Sequence, residues 1–280
     1  MTDKSELQKQ IILAVETVKQ SKPLAGSITN TVTINLVANA QIAVGGSAAM
    51  VYLPDEAEAL IQAGSSFYIN VGTLFPVYEQ TLPRAAKVLR DTGTPWVLDP
   101  VAIGIGTLRT ALLKKFQEFR PTIIRGNASE ILALAGLWNV DGGTGNSRVR
   151  GVDSTDAVSE AKHAAAALAR MTGGAVAVSG RDDFITDGHI GAVSYGGSHF
   201  MEEITGSGCS LGGVAAVYAA AASPFIAALT AAAVYNLAGR RAERKAEGPA
   251  SFQTAFLDEL YRARPEEIAQ NPFTLEEAEP

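Results

Sequence analysis

The chain has 280 residues, of which 47% are hydrophobic and 19% charged, and its formal net charge is −6. This length and composition predict a single α/β domain over residues 1–280, with a frayed tail at 271–280. The acidic balance excludes a general nucleic-acid-binding surface. The lone cysteine, Cys209, excludes an internal disulfide framework, and the polar segment 1–6 is unlike a signal peptide, so we expect a cytoplasmic protein.

Short apolar runs alternate with helical stretches through the middle of the chain. Strands are predicted at residues 66–71, 96–99, 122–124 and 175–178, and helices at 76–90, 108–119, 128–135 and 157–171. Apolar strands separated by helices predict βαβ units around a mostly parallel sheet that is covered on both faces.

Two further segments extend this prediction. The Asp187-Gly188 pair predicts a hairpin over residues 184–193, which adds antiparallel strands at one edge of the sheet. Residues 142–147 are rich in glycine and predict an exposed loop.

The segment 204–242 has no acidic residue and resembles a membrane span at first sight. Ser223-Pro224 divides it and alanine and glycine dominate it, so two buried helices joined by a turn are the better interpretation. We expect residues 214–237 to offer more apolar surface than one small domain hides, which favours self-association.

The sequence Thr-Gly-Ser-Gly-Cys at residues 205–209 precedes the first of these helices. Small residues there predict a tight turn whose N–H groups point into one space at a helix N-terminus, which is a ready anion site. The same position lowers the pKa of a thiol, so Cys209 is a candidate proton acceptor. The alternative is a small core residue at a helix start.

Polar residues also follow the predicted strands, at the sheet edge where ligands bind in such folds. They are Asp99, Arg125, Asn127, Glu130 and Ser179. Singly, Asp99 is explained as a turn cap, Arg125 as a surface charge, and Asn127 with Glu130 as a helix capping box. Together with the glycine turn they form one mouth with two carboxylates, a cation and an anion cradle, which indicates Mg²⁺ and ATP-dependent phosphoryl transfer.

The order of these motifs resembles the hydroxyethylthiazole kinase family of the ribokinase-like superfamily, over about residues 23–240. The segments that carry the resemblance are 28–30, 35–39, 45–47 with Met50, 70–74, 98–101, 124–130, 178–180 and 205–209. The order and spacing of the last four make it specific. Two departures, at residues 25–27 and 46–49, lie near the expected thiazole pocket.

The resemblance implies a three-layer α/β/α ribokinase-like fold and phosphorylation, by ATP with Mg²⁺, of the primary alcohol of 4-methyl-5-(2-hydroxyethyl)thiazole on the way to thiamine. It also implies a homotrimer with active sites between subunits. The roles it implies are catalytic for Cys209, Gly206 and Gly208; substrate binding for Met50, Asn30 and Gly206; ATP binding for Arg125, Ser179 and Asn127; and metal binding for Asp99 and Glu130. The family usually has threonine in place of Ser179.

Other functions remain open at this point. A related kinase of hydroxymethylpyrimidine or another small alcohol would use the same phosphate machinery. A cysteine-nucleophile hydrolase needs a histidine beside Cys209, and His199 is the nearest in sequence. A dinucleotide oxidoreductase is disfavoured because no acidic residue follows the glycine turn within about 20 residues. A non-catalytic binding protein on a kinase fold is disfavoured because the carboxylates and the phosphate loop are all present.

Overall fold

The computed structural model describes residues 3–143 and 155–277, which form one nine-stranded sheet flanked by helices. The strands are β1 (Leu24–Ile28), β2 (Ser47–Met50), β3 (Ser66–Asn70), β4 (Trp96–Asp99), β5 (Ile123–Asn127), β6 (Ala175–Ser179), β7 (Asp183–Thr186), β8 (Ile190–Ser194) and β9 (Phe273–Glu277). The α-helices in these residues are α1 (Lys4–Ser21), α2 (Ile34–Ala43), α3 (Pro54–Ala63), α4 (Tyr78–Thr92), α5 (Thr107–Phe116), α6 (Ala128–Leu137), α7 (Thr155–Thr172), α8 (Ser207–Ala219), α9 (Pro224–Glu243), α10 (Pro249–Arg262) and α11 (Pro265–Ala269).

The strand order is β2-β1-β3-β4-β5-β6-β7-β8-β9. The first six strands in that order pair in parallel, and β7, β8 and β9 follow, each antiparallel to the strand before it. The predicted mostly parallel sheet with antiparallel strands at one side is therefore confirmed. Because the carboxyl ends of the parallel strands share one edge, Asn70 lies opposite Asp99, and Asn127 lies opposite Ser179.

Two hydrophobic cores lie on the two faces of the sheet. Residues of α1, α2 and α8 to α11 form one, and residues of α3 to α7 form the other. Adjacent strand residues alternate between them, so Tyr68 belongs to the first core and Phe67 and Ile69 to the second. This arrangement is the predicted three-layer α/β/α fold.

The apolar segment 204–242 forms two helices, α8 and α9, on either side of the predicted turn at Ser223 and Pro224. Both helices are buried on nearly all sides within the chain, as expected for helices without a polar stripe. The expectation that residues 214–237 leave surplus apolar surface is therefore wrong. No helix of the described residues is both long and apolar enough to cross a membrane.

Three predicted boundaries differ from the structure. Strand β5 does not end at Ile124, because its ladder with β6 continues to Asn127, so Arg125 lies inside the strand. The 184–193 hairpin forms but is not at the sheet edge, because β9 pairs outside β8 from Ser194–Phe273 to Ile190–Glu277. The prediction of a frayed tail at 271–280 is therefore wrong for residues 273–277, which form β9. The predicted loop lies outside the described residues from position 144 onward.

Candidate active site

A cleft of about 790 Å³ opens at the carboxyl ends of β5 and β6, beside the start of α8. Seven of the predicted site residues line it, namely Arg125, Asn127, Glu130, Ser179, Gly206, Gly208 and Cys209. The topology explains why these residues lie together, since the neighbouring parallel strands β5 and β6 end, and α8 begins, at this edge of the sheet.

The first turn of α8 lines the cleft with free backbone donors. Gly206 precedes the helix with a φ of +97° in the left-handed region, no side chain caps the helix, and its first turn has no acidic residue. A Cβ at Gly206 would stand 2.7 Å from the Thr33 side chain, so only glycine fits this turn. The uncapped N–H groups and the positive end of the helix dipole suit an anion.

Arg125 projects from β5 against this turn and is 8% exposed. Its Nε and Nη2 donate to Ser179 Oγ at 3.1 and 2.8 Å, and its Nη1 lies 3.5 Å from Asp99 Oδ2. Gly208 permits the approach, because a Cβ there would be 2.7 Å from both guanidinium Nη atoms. Burial lowers the pKa of Arg125, but the carboxylates of Asp99 and Glu130 outweigh burial and raise it above its ordinary value, so the cation is retained.

Asp99 is fully buried behind Arg125 and does not itself line the cleft. Its Oδ2 accepts hydrogen bonds from Tyr68 Oη at 2.9 Å and Asn70 Nδ2 at 3.1 Å, whereas its Oδ1 is buried without a hydrogen-bond partner. Burial raises the pKa of Asp99, and the Arg125 charge opposes that rise. Asp99 therefore supplies the countercharge that holds a buried arginine.

A chain of amides connects Asp99 with Cys209. Asn70 Oδ1 accepts from Asn30 Nδ2 at 3.2 Å, and the same nitrogen lies 3.3 Å from Cys209 Sγ. Burial first and the Asp99 charge second raise the pKa of the Cys209 thiol. The direction of this pKa shift is thus opposite to the lowering expected at a helix N-terminus, and burial is its largest cause.

Asn127 and Glu130 form the capping box that the sequence suggested as one alternative. Asn127 Oδ1 accepts from the Glu130 N–H at 2.9 Å, and Glu130 Oε2 accepts from the Asn127 N–H at 2.9 Å. Both residues also line the cleft, so the cap sits beside the anion cradle. Here the structural interpretation and the functional one are compatible.

Met50 lies apart from the cleft. It ends β2, the outermost strand on the parallel side, and it is half-buried.

His199, the candidate partner of a cysteine nucleophile, forms its hydrogen bond with Glu243 at 3.0 Å instead. A cysteine–histidine pair is thus not assembled here. No local sequence pattern marks Tyr68 and Asn70 as partners of Asp99, because only the register of β3 and β4 brings them together.

The profile of the Hydroxyethylthiazole kinase family matches residues 15–266. The chain belongs to this family. A hydroxyethylthiazole kinase from Bifidobacterium adolescentis is 50% identical over 273 residues, covering 94% of this chain and 93% of that protein. The resemblance inferred from the motifs is confirmed.

Solved structures agree with this assignment. The hydroxyethylthiazole kinase protein from Pyrococcus horikoshii OT3 superposes with a TM-score of 0.84 at 30% identity, covering 97% of this chain and 100% of that one. A ribokinase-like superfamily protein from Enterococcus faecalis V583 gives a TM-score of 0.60 at 13% identity, covering 87% and 88% of the two chains. That second likeness concerns the fold alone, and it supports the ribokinase-like architecture.

Proposed function

We propose that this chain transfers the γ-phosphoryl group of ATP to the primary alcohol of 4-methyl-5-(2-hydroxyethyl)thiazole, giving the thiazole phosphate for thiamine biosynthesis. Membership of the family supports the reaction. The observation that carries it is one cleft in which the buried Arg125 cation faces the uncapped start of α8, with Glu130 beside them. We assign the reaction to the cytoplasm, where ATP is available and a thiol stays reduced.

In this proposal the nucleotide phosphates occupy the space between β5 and α8. Arg125 contacts the phosphate charge, and Ser179 fixes the direction of its guanidinium through two hydrogen bonds. Asn127, at the end of β5, contributes to the same wall. The N–H groups of residues 206–209 receive the charge that develops on the transferred group, in a geometry formed before the substrate arrives.

Magnesium fits the residues of this site as a phosphate-bound ion. No group of three or more His, Cys, Asp and Glu side chains placed to hold a metal occurs in the part of the chain that the structure describes. Mg²⁺ delivered with phosphates needs only one or two protein carboxylates, and Glu130 lines the cleft while Asp99 Oδ1 lacks a partner. When bound, the ion would neutralise phosphate charge, with Glu130 on its side of the cleft and the buried Asp99 adding negative charge from behind Arg125.

The acceptor hydroxyl attacks the γ-phosphorus in line, so that a new O–P bond forms as the bond to the ADP oxygen breaks. Its proton needs no strong base when the transition state is loose. Cys209 suits a positioning role better than a base role, because burial raises the pKa of its thiol and keeps it neutral. Asn30 holds the sulfur in place beside Gly206 and Gly208.

The acceptor side is proposed to be completed by neighbouring copies in a homotrimer. Met50 is at the outer strand, remote from the cleft lining of its own chain. Large apolar side chains stand exposed in the loops that follow β1 to β4: Val32, Leu53, Phe75 and Ile105. A partner subunit that covers them would bury apolar surface. Light scattering should give about three times the chain mass of 29.2 kDa, and a monomeric mass would contradict the trimer.

The function is tested by incubating the protein with Mg·ATP and a panel of small primary alcohols that includes the thiazole and hydroxymethylpyrimidine. We expect the thiazole phosphate as the main product, identified by mass spectrometry, and no product when Mg²⁺ is chelated. If kcat/KM for hydroxymethylpyrimidine equals or exceeds kcat/KM for the thiazole alcohol, the thiazole is not the preferred substrate. If none of the alcohols is phosphorylated, the proposal is overturned.

A further inference from the structure

The cleft contains a second buried carboxylate that phosphoryl transfer does not require. Asp183 begins β7, lines the cleft and is 8% exposed. Its Oδ1 accepts from the Gly180 N–H at 3.2 Å, and its Oδ2 accepts from Asn236 Nδ2 at 3.1 Å. Both direct partners are neutral donors, so this carboxylate is buried without a contacting cation.

Asn236 extends these contacts to two more segments around the cleft. From α9, its Nδ2 also donates to Ser194 Oγ at 3.0 Å, and its backbone oxygen accepts from the Gly197 N–H at 3.0 Å. Asp183 and Asn236 thus join the turn between β6 and β7, the end of β8 with the segment after it, and α9. All three elements contribute to the cleft wall.

The pair also acts on the phosphate side of the cleft. Gly180, which Asp183 holds, directly follows Ser179, the residue whose Oγ accepts both hydrogen bonds from Arg125. A shift of the turn at Gly180 therefore moves the acceptor that orients the guanidinium. Asp183 is thus linked to Arg125 through three successive connections: the hydrogen bond from the Gly180 N–H, the peptide bond between Gly180 and Ser179, and the hydrogen bonds from Arg125 to Ser179 Oγ.

A buried carboxylate with neutral partners needs a reason to be kept. Closing a hairpin turn requires no charge, and burying one lowers stability unless hydrogen bonds compensate. Burial raises the pKa of Asp183 to about 6, so the group is still ionised at neutral pH, with its charge near Arg125. Such a group in a cleft is a candidate for a functional role.

We propose that Asp183 and Asn236 are positioning residues for ATP, which set the place of Ser179 and through it the orientation of Arg125. The inference rests on the proposed function. It predicts an effect on nucleotide binding that is separate from the acceptor alcohol, because neither residue lies near β2 and Met50 at the other side of the sheet.

The test is an exchange of the two side chains. Asp183→Asn leaves one acceptor oxygen for two donors, the Gly180 N–H and Asn236 Nδ2, and Asn236→Asp sets two carboxylates against each other. The double variant Asp183→Asn with Asn236→Asp restores one donor facing one acceptor. Asp182→Asn is the matched control, because Asp182 is half-buried in the same turn and does not line the cleft.

We expect each single variant to raise the KM for ATP at least tenfold, with less than a twofold change in the KM for the alcohol. The double variant should return within threefold of the parent, and Asp182→Asn should match the parent. Thermal melting checks that each variant folds. If one single variant fails to fold, the KM for ATP of the other single variant and that of the double variant still test the inference.

Two results would overturn the inference: a double variant no better than the worse single variant, or single variants that raise both KM values equally. Binding of Mg²⁺ with a non-hydrolysable ATP analogue, measured by calorimetry, gives a readout without turnover. Weaker binding in the single variants and recovery in the double variant would support the pair even if the parent phosphorylated none of the alcohols. In that case only the proposed function would fall.

Discussion

The two sides of the sheet's carboxyl edge differ in how completely one chain builds them. At β4 to β6, Arg125 and Asp99 are buried, and hydrogen bonds join Arg125 to Asp99 and to the half-buried Ser179. At β1 and β2, Met50 ends an outer strand, and exposed apolar side chains stand in the loops that follow β1 to β4. In the proposed function, the phosphate side is thus formed in advance within the subunit, and a second subunit would complete the acceptor side.

The difference has a physical basis. Phosphate recognition needs charges fixed in a water-poor site before the substrate arrives, since reorganising them during the reaction would raise the barrier. Recognition of a small apolar ring needs mainly covered surface, which another subunit supplies as well as the same chain. Changes on the phosphate side should therefore affect kcat and ATP, and changes on the acceptor side should affect the KM of the alcohol.

The largest effect is expected from Arg125→Lys. A lysine cannot donate twice to Ser179 and still present a planar donor group to phosphate, so kcat/KM for ATP should fall about 100-fold or more. The matched control is Arg84→Lys, because Arg84 makes an ion pair with Glu58 on the surface and lies outside the cleft. Steady-state kinetics measure both. An Arg125→Lys enzyme with parental kinetics would mean that the buried cation is structural.

A smaller loss is expected from Glu130→Gln. Glutamine keeps an oxygen that accepts from the Asn127 N–H, so the capping box survives while the negative charge is lost. Turnover should fall about tenfold, a loss of roughly 1.4 kcal/mol in transition-state stabilisation, and the Mg²⁺ concentration for half-maximal rate should rise. Unchanged turnover with an intact fold would leave Glu130 with its capping role alone.

On the acceptor side, Met50→Ala should change a different constant. Removing the thioether end of a half-buried methionine loses about 1 kcal/mol of apolar contact, which is about fivefold in the KM for the thiazole alcohol. The KM for ATP should stay within twofold. Equal changes in both constants would show that the two sides are not separate in the way proposed.

The sequence predicted what depends on neighbouring residues. The glycine turn before α8, the Asn127–Glu130 box and the hairpin at Asp187-Gly188 are local patterns, and each forms as expected. The ends of β4 and β6 at Asp99 and Ser179 followed from apolar runs that stop.

What the sequence did not predict depends on contacts between distant segments. Tyr68 and Asn70 reach Asp99 only through the register of β3 and β4. Strand β9 forms because β8 presents a free edge, which overrides a polar and acidic local sequence. The pKa of Cys209 rises because the whole fold buries the thiol, and the local sequence at the start of α8 does not reveal that burial. The buried pair of Asp183 and Asn236 joins residues 53 positions apart and had no local signal.

The smallest effect is expected at Cys209, where the two sides meet. Its thiol contacts Asn30 on the β1 side, and its backbone belongs to the anion cradle of α8. Because burial raises the pKa of this thiol above its usual value near 9, it stays protonated at neutral pH and ionises only in more alkaline solution. A base with that pKa would make the rate rise with pH up to the thiol pKa, whereas a positioning group would not.

Cys209→Ala separates these two roles, because it removes the sulfur and keeps the glycine turn and the helix N–H groups. We expect a loss of about threefold or less and a pH–rate profile between pH 6 and 9 parallel to that of the parent. Cys209→Asp is the matched counterpart: burial raises the pKa of either side chain at this site, but the reference pKa of a carboxyl, about 3.9, lies far below that of a thiol, about 8.5, so the aspartate ionises at a lower pH than the cysteine. If the residue positions the acceptor, the fixed negative charge beside the phosphate should make Cys209→Asp slower than Cys209→Ala. An Asp variant at least as active as the parent, with an Ala variant that loses the alkaline rise in rate, would instead make Cys209 the base.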